Sequence, residues 1–314
     1  MPVVDSHLHF FTDLVPKTLM TSNLVGLSAL GELRRKARGL LKPWTKTLHE
    51  TQTWVRQLPE GPRKVIDQIG GVMTLPSLLV ESNFDDMIEG MDVAGIDVGV
   101  VIPHAYASNE LVLEACRDNP RLIAAVTVPV GTAKPGAHLK SLAKKGAKVL
   151  KIHAAADGEA PHAPRYKASL KAAGELGMPV IIHTGCFHSA LFFKEPELGD
   201  VSHYEHWFEA HPETQFVLAH MNLHKPEAAL DIAEKNPNVW VDTSWQPVEI
   251  IAEAVRRIGA ERVLFGSDWP IIGHNLEVGI TRIQECVEAG WMSQAEADQI
   301  LGLNAVKLFK IPIN

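Results

Sequence analysis

The chain has 314 residues, 46% of them apolar and 21% charged, with a formal net charge of −7. That balance suits a soluble globular enzyme with a sizeable core, and no run reaches the ~18 uninterrupted apolar residues of a membrane span. Cys116, Cys186 and Cys286 are odd in number and far apart, which fits reduced thiols, Cys186 included as an inert one, better than a disulfide framework. The chain opens directly into an acidic-and-histidine strand, so a cytoplasmic location is expected. That first candidate strand, residues 3 to 8, carries Asp5-Ser6-His7-Leu8-His9. Two histidines one residue apart on a strand point to the same side and can grip one metal ion. This is half of a metal site, because a catalytic metal takes about three protein ligands and keeps a position open.

Residues 13 to 90 break the rhythm that follows. They are far longer than one loop and helix require, and they read as helical: Leu24, Leu27, Leu30 and Leu33, then Leu40, Leu41, Trp44 and Leu48, then Trp54, Val55 and Leu58. Ten basic residues stand against three acidic ones between Lys17 and Lys64, leaving the rest of the chain at −14. An inserted helical lid that helps select an anionic substrate is expected here, with solvated helix faces or an oligomer contact as the alternative.

Seven further apolar runs follow, near residues 97 to 102, 122 to 128, 147 to 153, 179 to 183, 215 to 220, 238 to 243 and 262 to 266. Between them lie amphipathic patterns at Asn109 to Asp118, Gly136 to Lys145, Tyr166 to Leu176, Pro226 to Lys235 and Val248 to Ile258. Eight alternating units predict an α/β fold of the (β/α)8 TIM-barrel type, residues 1 to 314 forming a single barrel with the 13 to 90 insertion between strands 1 and 2. Neither a dinucleotide fingerprint nor a phosphate loop is present to favour an open sheet. In such barrels the active site lies at the C-terminal strand ends.

The polar residues fall there. His183 ends the fifth run, His220 ends the sixth, and Asp268 follows the eighth. Any one histidine of fifteen is more often a satisfied core or loop residue, but the joint placement selects His7, His9, His183 and Asp268 as metal ligands. His220 is either a ligand or a general acid/base. Imidazole and carboxylate together suit zinc or another first-row divalent ion. On the fourth run, Lys151 and His153 share one face, and a charged group inside a barrel needs a partner or a modification, so either is expected to bind substrate or to make structural hydrogen bonds. Trp245, Trp269, Phe187, Phe192 and Phe193 either line an aromatic pocket or pack under the lid.

These residues resemble the amidohydrolase superfamily: Asp5-x-His7-x-His9 on strand one, His183-Thr184-Gly185 on strand five, His220 on strand six, and Gly266-Ser267-Asp268-Trp269-Pro270 on strand eight. The resemblance is to the amidohydrolase-related branch that includes aminocarboxymuconate-semialdehyde decarboxylase and assorted lactonases. It implies one ion held by His7, His9, His183 and Asp268, with His220 beside the reacting water. Two ions are implied if Lys151 is carboxylated, the second then using His183 and His220. Family decarboxylases with Glu in place of the first histidine match less well, since position 7 is His.

The expected activity is hydrolysis of a lactone, amide or ester bond in a small, carboxylate-bearing substrate, with His220 and Asp268 as the proton-transfer groups. One alternative is non-oxidative decarboxylation of an aromatic or muconate-type acid, and another is a non-catalytic, metal-stabilised binding protein. The expected partner is a small-molecule substrate, with neither nucleic acid nor a membrane, and with a homodimer admitted.

Overall fold

The computed structural model describes residues 1–11, 36, 51, 54–75, 78, 82–104, 108–271 and 275–312. Eight parallel strands follow one another around a single sheet: β1 (Val4–Leu8), β2 (Val98–Val101), β3 (Leu122–Val126), β4 (Val149–Ile152), β5 (Val180–His183), β6 (Phe216–Ala219), β7 (Val239–Asp242) and β8 (Val263–Leu264). Backbone bonds from Ser6 N to Phe265 O (2.9 Å), His9 N to Trp269 O (2.8 Å) and Asp268 N to His7 O (2.8 Å) bring the last strand back to the first. The result is a (β/α)8 barrel. Every run read as a strand from the sequence contains one, and β8 is the most shortened, because beyond Leu264 the Phe265 N–H bonds to Ile300 O at 2.9 Å instead of continuing the ladder.

Each strand buries both faces, so the runs read as continuous apolar stretches rather than alternating ones. One set of side chains, including Val4, Val100, Val149, Ile181, Val217 and Leu264, fills the barrel interior and meets Leu308 and Phe309 of the C-terminal helix. The other set, including Leu8, Val101, Leu150, Ile182, Leu218 and Val241, packs outward under the helices. Those helices include α1 (Glu60–Met73), α2 (Phe84–Ala94), α3 (Asn109–Arg117), α4 (Pro135–Lys144), α5 (Pro164–Leu176), α6 (Pro226–Lys235), α7 (Val248–Ile258) and α8 (Asn275–Glu288). Their starts follow simple chemistry: prolines open α4, α5 and α6 at N1, where the missing N–H costs nothing. Among the described residues no helix is long and apolar enough to cross a membrane.

Helices α1 and α2 occupy the long connection between β1 and β2. Most of the basic segment, Arg34, Arg35 and Arg38 included, lies outside the described residues, as do the leucine-rich positions from Leu24 to Leu48.

Candidate active site

Local backbone geometry brings the site together. Val4 points into the barrel and Leu8 points out, yet strict alternation would place positions 4 and 8 on one face. A break in register between Asp5 and Leu8 where β1 pairs with β2 resolves this, and it turns His7 and His9 inward. Asp5 braces the segment, accepting from His7 N at 2.9 Å and Ser267 N at 3.1 Å. Burial pushes its carboxyl up to about 7.

On β6 the same bookkeeping of faces would aim His220 outward, since Ala219 faces the interior. A left-handed φ of 63° at His220 redirects it, and its ring lies 4.8 Å from that of His7. Met221, Asn222 and Leu223 continue in the left-handed region with φ of 44°, 60° and 48°, a costly run for residues with side chains. It is strapped in place: His220 N donates to Asp242 Oδ1 (2.9 Å), Asn222 N to Thr184 Oγ1 (2.9 Å), and Gln246 Nε2 to both His220 O (2.6 Å) and Leu223 O (3.0 Å). Gly185 is required beside this turn, because its φ is 110° and a Cβ there would lie 2.4 Å from that of Leu223.

Around one point stand His7, His220 and Asp268, whose ligand atoms all lie within 4.8 Å of one another. Asp268 Oδ1 is 3.4 Å from His7 Nε2 and 3.1 Å from His9 Nε2, while its Oδ2 accepts from Trp245 Nε1 at 2.7 Å. His183 stands outside that tight trio but next to it, its ring 4.9 Å from that of His220 and stacked on His153 at 3.9 Å. Lys151 Nζ approaches His7 Nε2 at 3.3 Å. All seven residues singled out from the sequence therefore line one cleft of about 660 Å³, its solvent-open mouth included. Phe187, Phe192, Phe193 and Trp245 also line it, whereas Trp269 is fully buried packing. The Cys186 thiol is pushed up to about 12, chiefly by burial, which suits an inert residue.

The donor set fits a divalent cation. His9 Nδ1 faces the Ile102 carbonyl at 2.9 Å; a carbonyl only accepts, so in the neutral ring Nδ1 carries the proton and Nε2 presents a lone pair. With that lone pair pointing at a carboxylate oxygen 3.1 Å away, either a ring proton or a metal ion would bridge the two. His183 Nε2 is buried with no hydrogen-bond partner, an uncommon condition that a ligand bond would explain. Burial drives His7 down to about 3 and pulls His183 and His220 below the ordinary imidazole range. Burial would raise Asp268, but His220, His7 and His9 around it hold its carboxyl well below the usual range. Neutral imidazoles around an ionised carboxylate are the form in which these groups ligate.

Sequence reading missed four features. Asp242 ends the apolar β7 run as His183 ends β5, so the same signal marks it; its Oδ2 is 2.9 Å from His7 Nδ1. Ser244, two residues on, lies 2.7 Å from His220 Nδ1. His104, after β2, also lines the cleft. The fourth has no sequence signal: buried Asp67 on α1 accepts from His188 N (3.1 Å) and sits 3.3 Å from His188 Nδ1 and 3.0 Å from His224 Nε2. This clasp ties α1 to the loops after β5 and β6, while Thr74 at the end of α1 lines the cleft. An Asp67→Ala substitution strands those donors, each at about 1–3 kcal/mol. We expect a clear fall in the thermal unfolding midpoint, while a His203→Ala control on the surface leaves it unchanged.

The amidohydrolase family model matches residues 4–311, and the chain belongs to that family. A search of curated protein sequences finds no match. Similar solved structures include an uncharacterized TIM-barrel protein from Bordetella bronchiseptica, at TM-score 0.65 and 16% identity over 99% of each chain. They also include 5-carboxyvanillate decarboxylase from Sphingomonas paucimobilis, at TM-score 0.65 and 13% identity over 99% of each chain. A probable 2-pyrone-4,6-dicarboxylic acid hydrolase from Acinetobacter baumannii follows at TM-score 0.59 and 16% identity, covering 99% of this chain and 100% of that one. At such identities the likeness is one of fold. Hydrolase and decarboxylase both occur among these neighbours, so kinship leaves the reaction type open.

Proposed function

We propose that the protein is a metal-dependent hydrolase acting on a lactone, amide or ester bond of a small molecule. The observation that carries this reading is the convergence of His7 Nε2 and His9 Nε2 on one oxygen of Asp268, beside the unpartnered Nε2 of His183. In this reading His7, His9, His183 and Asp268 would hold a single divalent ion, with zinc the best match to the ligand types. When bound, such an ion polarises a carbonyl oxygen and makes water a stronger acid.

The chain's own groups then handle the protons. His220 Nε2 accepts a proton from the attacking water and passes it through Asp268, which delivers that same proton to the departing oxygen or nitrogen as the carbon–heteroatom bond breaks. Trp245 holds Asp268 Oδ2 so that Oδ1 faces the histidines. The aromatic wall of Phe187, Phe192 and Phe193 excludes water from the rest of the substrate, and α1, clasped by Asp67, roofs it.

The charge of the cleft bears on what the substrate carries. Among its described lining residues Lys151 is the sole ammonium or guanidinium group, and it sits against His7, with burial lowering it to about 8. A carboxylate headgroup finds that one cation, which supports an acidic substituent on the substrate. Lys151 in its carboxylated form would add a second ion, and intact mass reads that directly. The test is metal analysis of purified protein, then a screen of lactones, amides, esters and aromatic carboxylates. We expect about one divalent ion per chain and turnover that incorporates oxygen from labelled water. Release of carbon dioxide from an aromatic acid, with no hydrolysis, would replace this reading by the lyase one.

A further inference from the structure

The hydrogen bonds behind the site specify which nitrogen of two imidazoles is free. Asp242 lies at the end of β7, 1% exposed, and both of its oxygens have partners. Oδ1 accepts from His220 N at 2.9 Å, from Ser244 N at 3.1 Å and from the Ser244 hydroxyl; Oδ2 meets His7 Nδ1 at 2.9 Å. Three donors share the lone pairs of Oδ1, and Oδ2 is left facing the His7 ring. Three N–H and O–H donors aimed at one of its oxygens favour the ionised form. It is an acceptor only.

Two consequences follow from counting protons. His7 Nδ1 must be the donor to Oδ2, so in the neutral ring Nε2 bears the lone pair, and that is the nitrogen facing Asp268. Ser244 has one hydroxyl proton, and a carboxylate oxygen claims it. Ser244 Oγ can then only accept from His220 Nδ1 at 2.7 Å, so His220 also bears its lone pair on Nε2. We propose that Asp242 and Ser244 are positioning residues that set the tautomers of His7 and His220 together, aiming both Nε2 lone pairs at one point. One carboxylate thus prepares a metal ligand directly and a proton acceptor through a hydroxyl. The use of this arrangement in turnover rests on the hydrolase reading; the tautomers do not.

Ring spectra of protein labelled with ¹⁵N in its imidazoles read the tautomers without substrate, with single histidine replacements giving the assignments. Wild-type protein is expected to carry the ring protons of His7 and His220 on Nδ1. In Asp242→Asn, the backbone N–H groups of His220 and Ser244 keep the amide oxygen on their side and turn the NH2 toward His7, as when an amide replaces the carboxylate behind any catalytic imidazole. His7 must then accept at Nδ1 and move its proton to Nε2, and metal affinity should fall roughly 10- to 100-fold. In Ser244→Ala, His220 loses its fixed acceptor and should show mixed tautomers, with His7 unchanged and metal retained; Ser244→Thr should restore a single Nδ1–H form.

Protonation of either ring at Nε2 in the wild type, or a His7 that keeps its Nδ1 proton in Asp242→Asn, overturns the assignment. So does a His220 in Ser244→Ala that matches the wild type. If the tautomers behave as stated and no ester, lactone or amide is turned over, the hydrolase reading fails and the positioning assignment stands.

Discussion

A His183→Ala substitution is expected to strip the protein of most of its divalent metal while leaving the barrel folded. The ring makes no hydrogen bond through Nε2 that truncation would break; it is held by stacking on His153 at 3.9 Å and by Phe193 at 5.1 Å. Its removal leaves a gap at the edge of an open cleft, where neighbouring rings and water can adjust. Outer partners of metal ligands alone are worth ~10- to 100-fold in affinity, and loss of a ligand should exceed that. Metal content after dialysis against a competing chelator is the measurement. Wild-type retention would remove His183 from the ligand set and leave the trio of His7, His220 and Asp268 as the ion's support.

His220→Ala is expected to do the opposite, keeping the metal and losing a factor of ~10² to 10⁴ in kcat, the range for a general acid or base. The prediction is demanding because His220 belongs to the closest three-residue group in the site. Its ring is anchored from behind by Ser244 and its backbone by Asp242 and Gln246, so an alanine there removes the imidazole without releasing the turn. Metal stoichiometry and kcat are measured on the same preparation, with whichever substrate the wild type hydrolyses. Parallel loss of both would make His220 a ligand and pass the proton-accepting role to Asp268.

Much of the barrel was legible because its strands are buried on both faces and announce themselves as short apolar runs. The run at 179 to 183 becomes Val180–His183, and the run at 238 to 243 becomes Val239–Asp242. A polar residue closing such a run stands at the catalytic end, which is why His183, His220 and Asp268 could be picked out, and why Asp242 should have been. What alternation cannot supply is direction after an irregularity. The register break after Asp5 and the left-handed backbone at His220, Trp245 and Asp268 (φ of 63°, 67° and 57°) aim these side chains, and no residue type at those positions demands either. Asp67 was illegible for another reason: its partners lie 121 and 157 residues away in the chain, and nothing local to α1 marks it as more than one acid on an amphipathic helix.

That separation bears on how the molecule is made. Contacts between distant parts of a chain carry a loop-closure cost that is met only late, and they slow folding. On the ribosome, α1 emerges well before the histidines that will hold Asp67, by roughly 6 to 30 seconds at ordinary rates of synthesis. Through that interval Asp67 lacks the two histidines that hold it in the folded protein. The clasp closes only once β5 and β6 and their loops are in place. The bonds that tie α1 to the loops after β5 and β6 are thus ones that only the later half of the chain can complete.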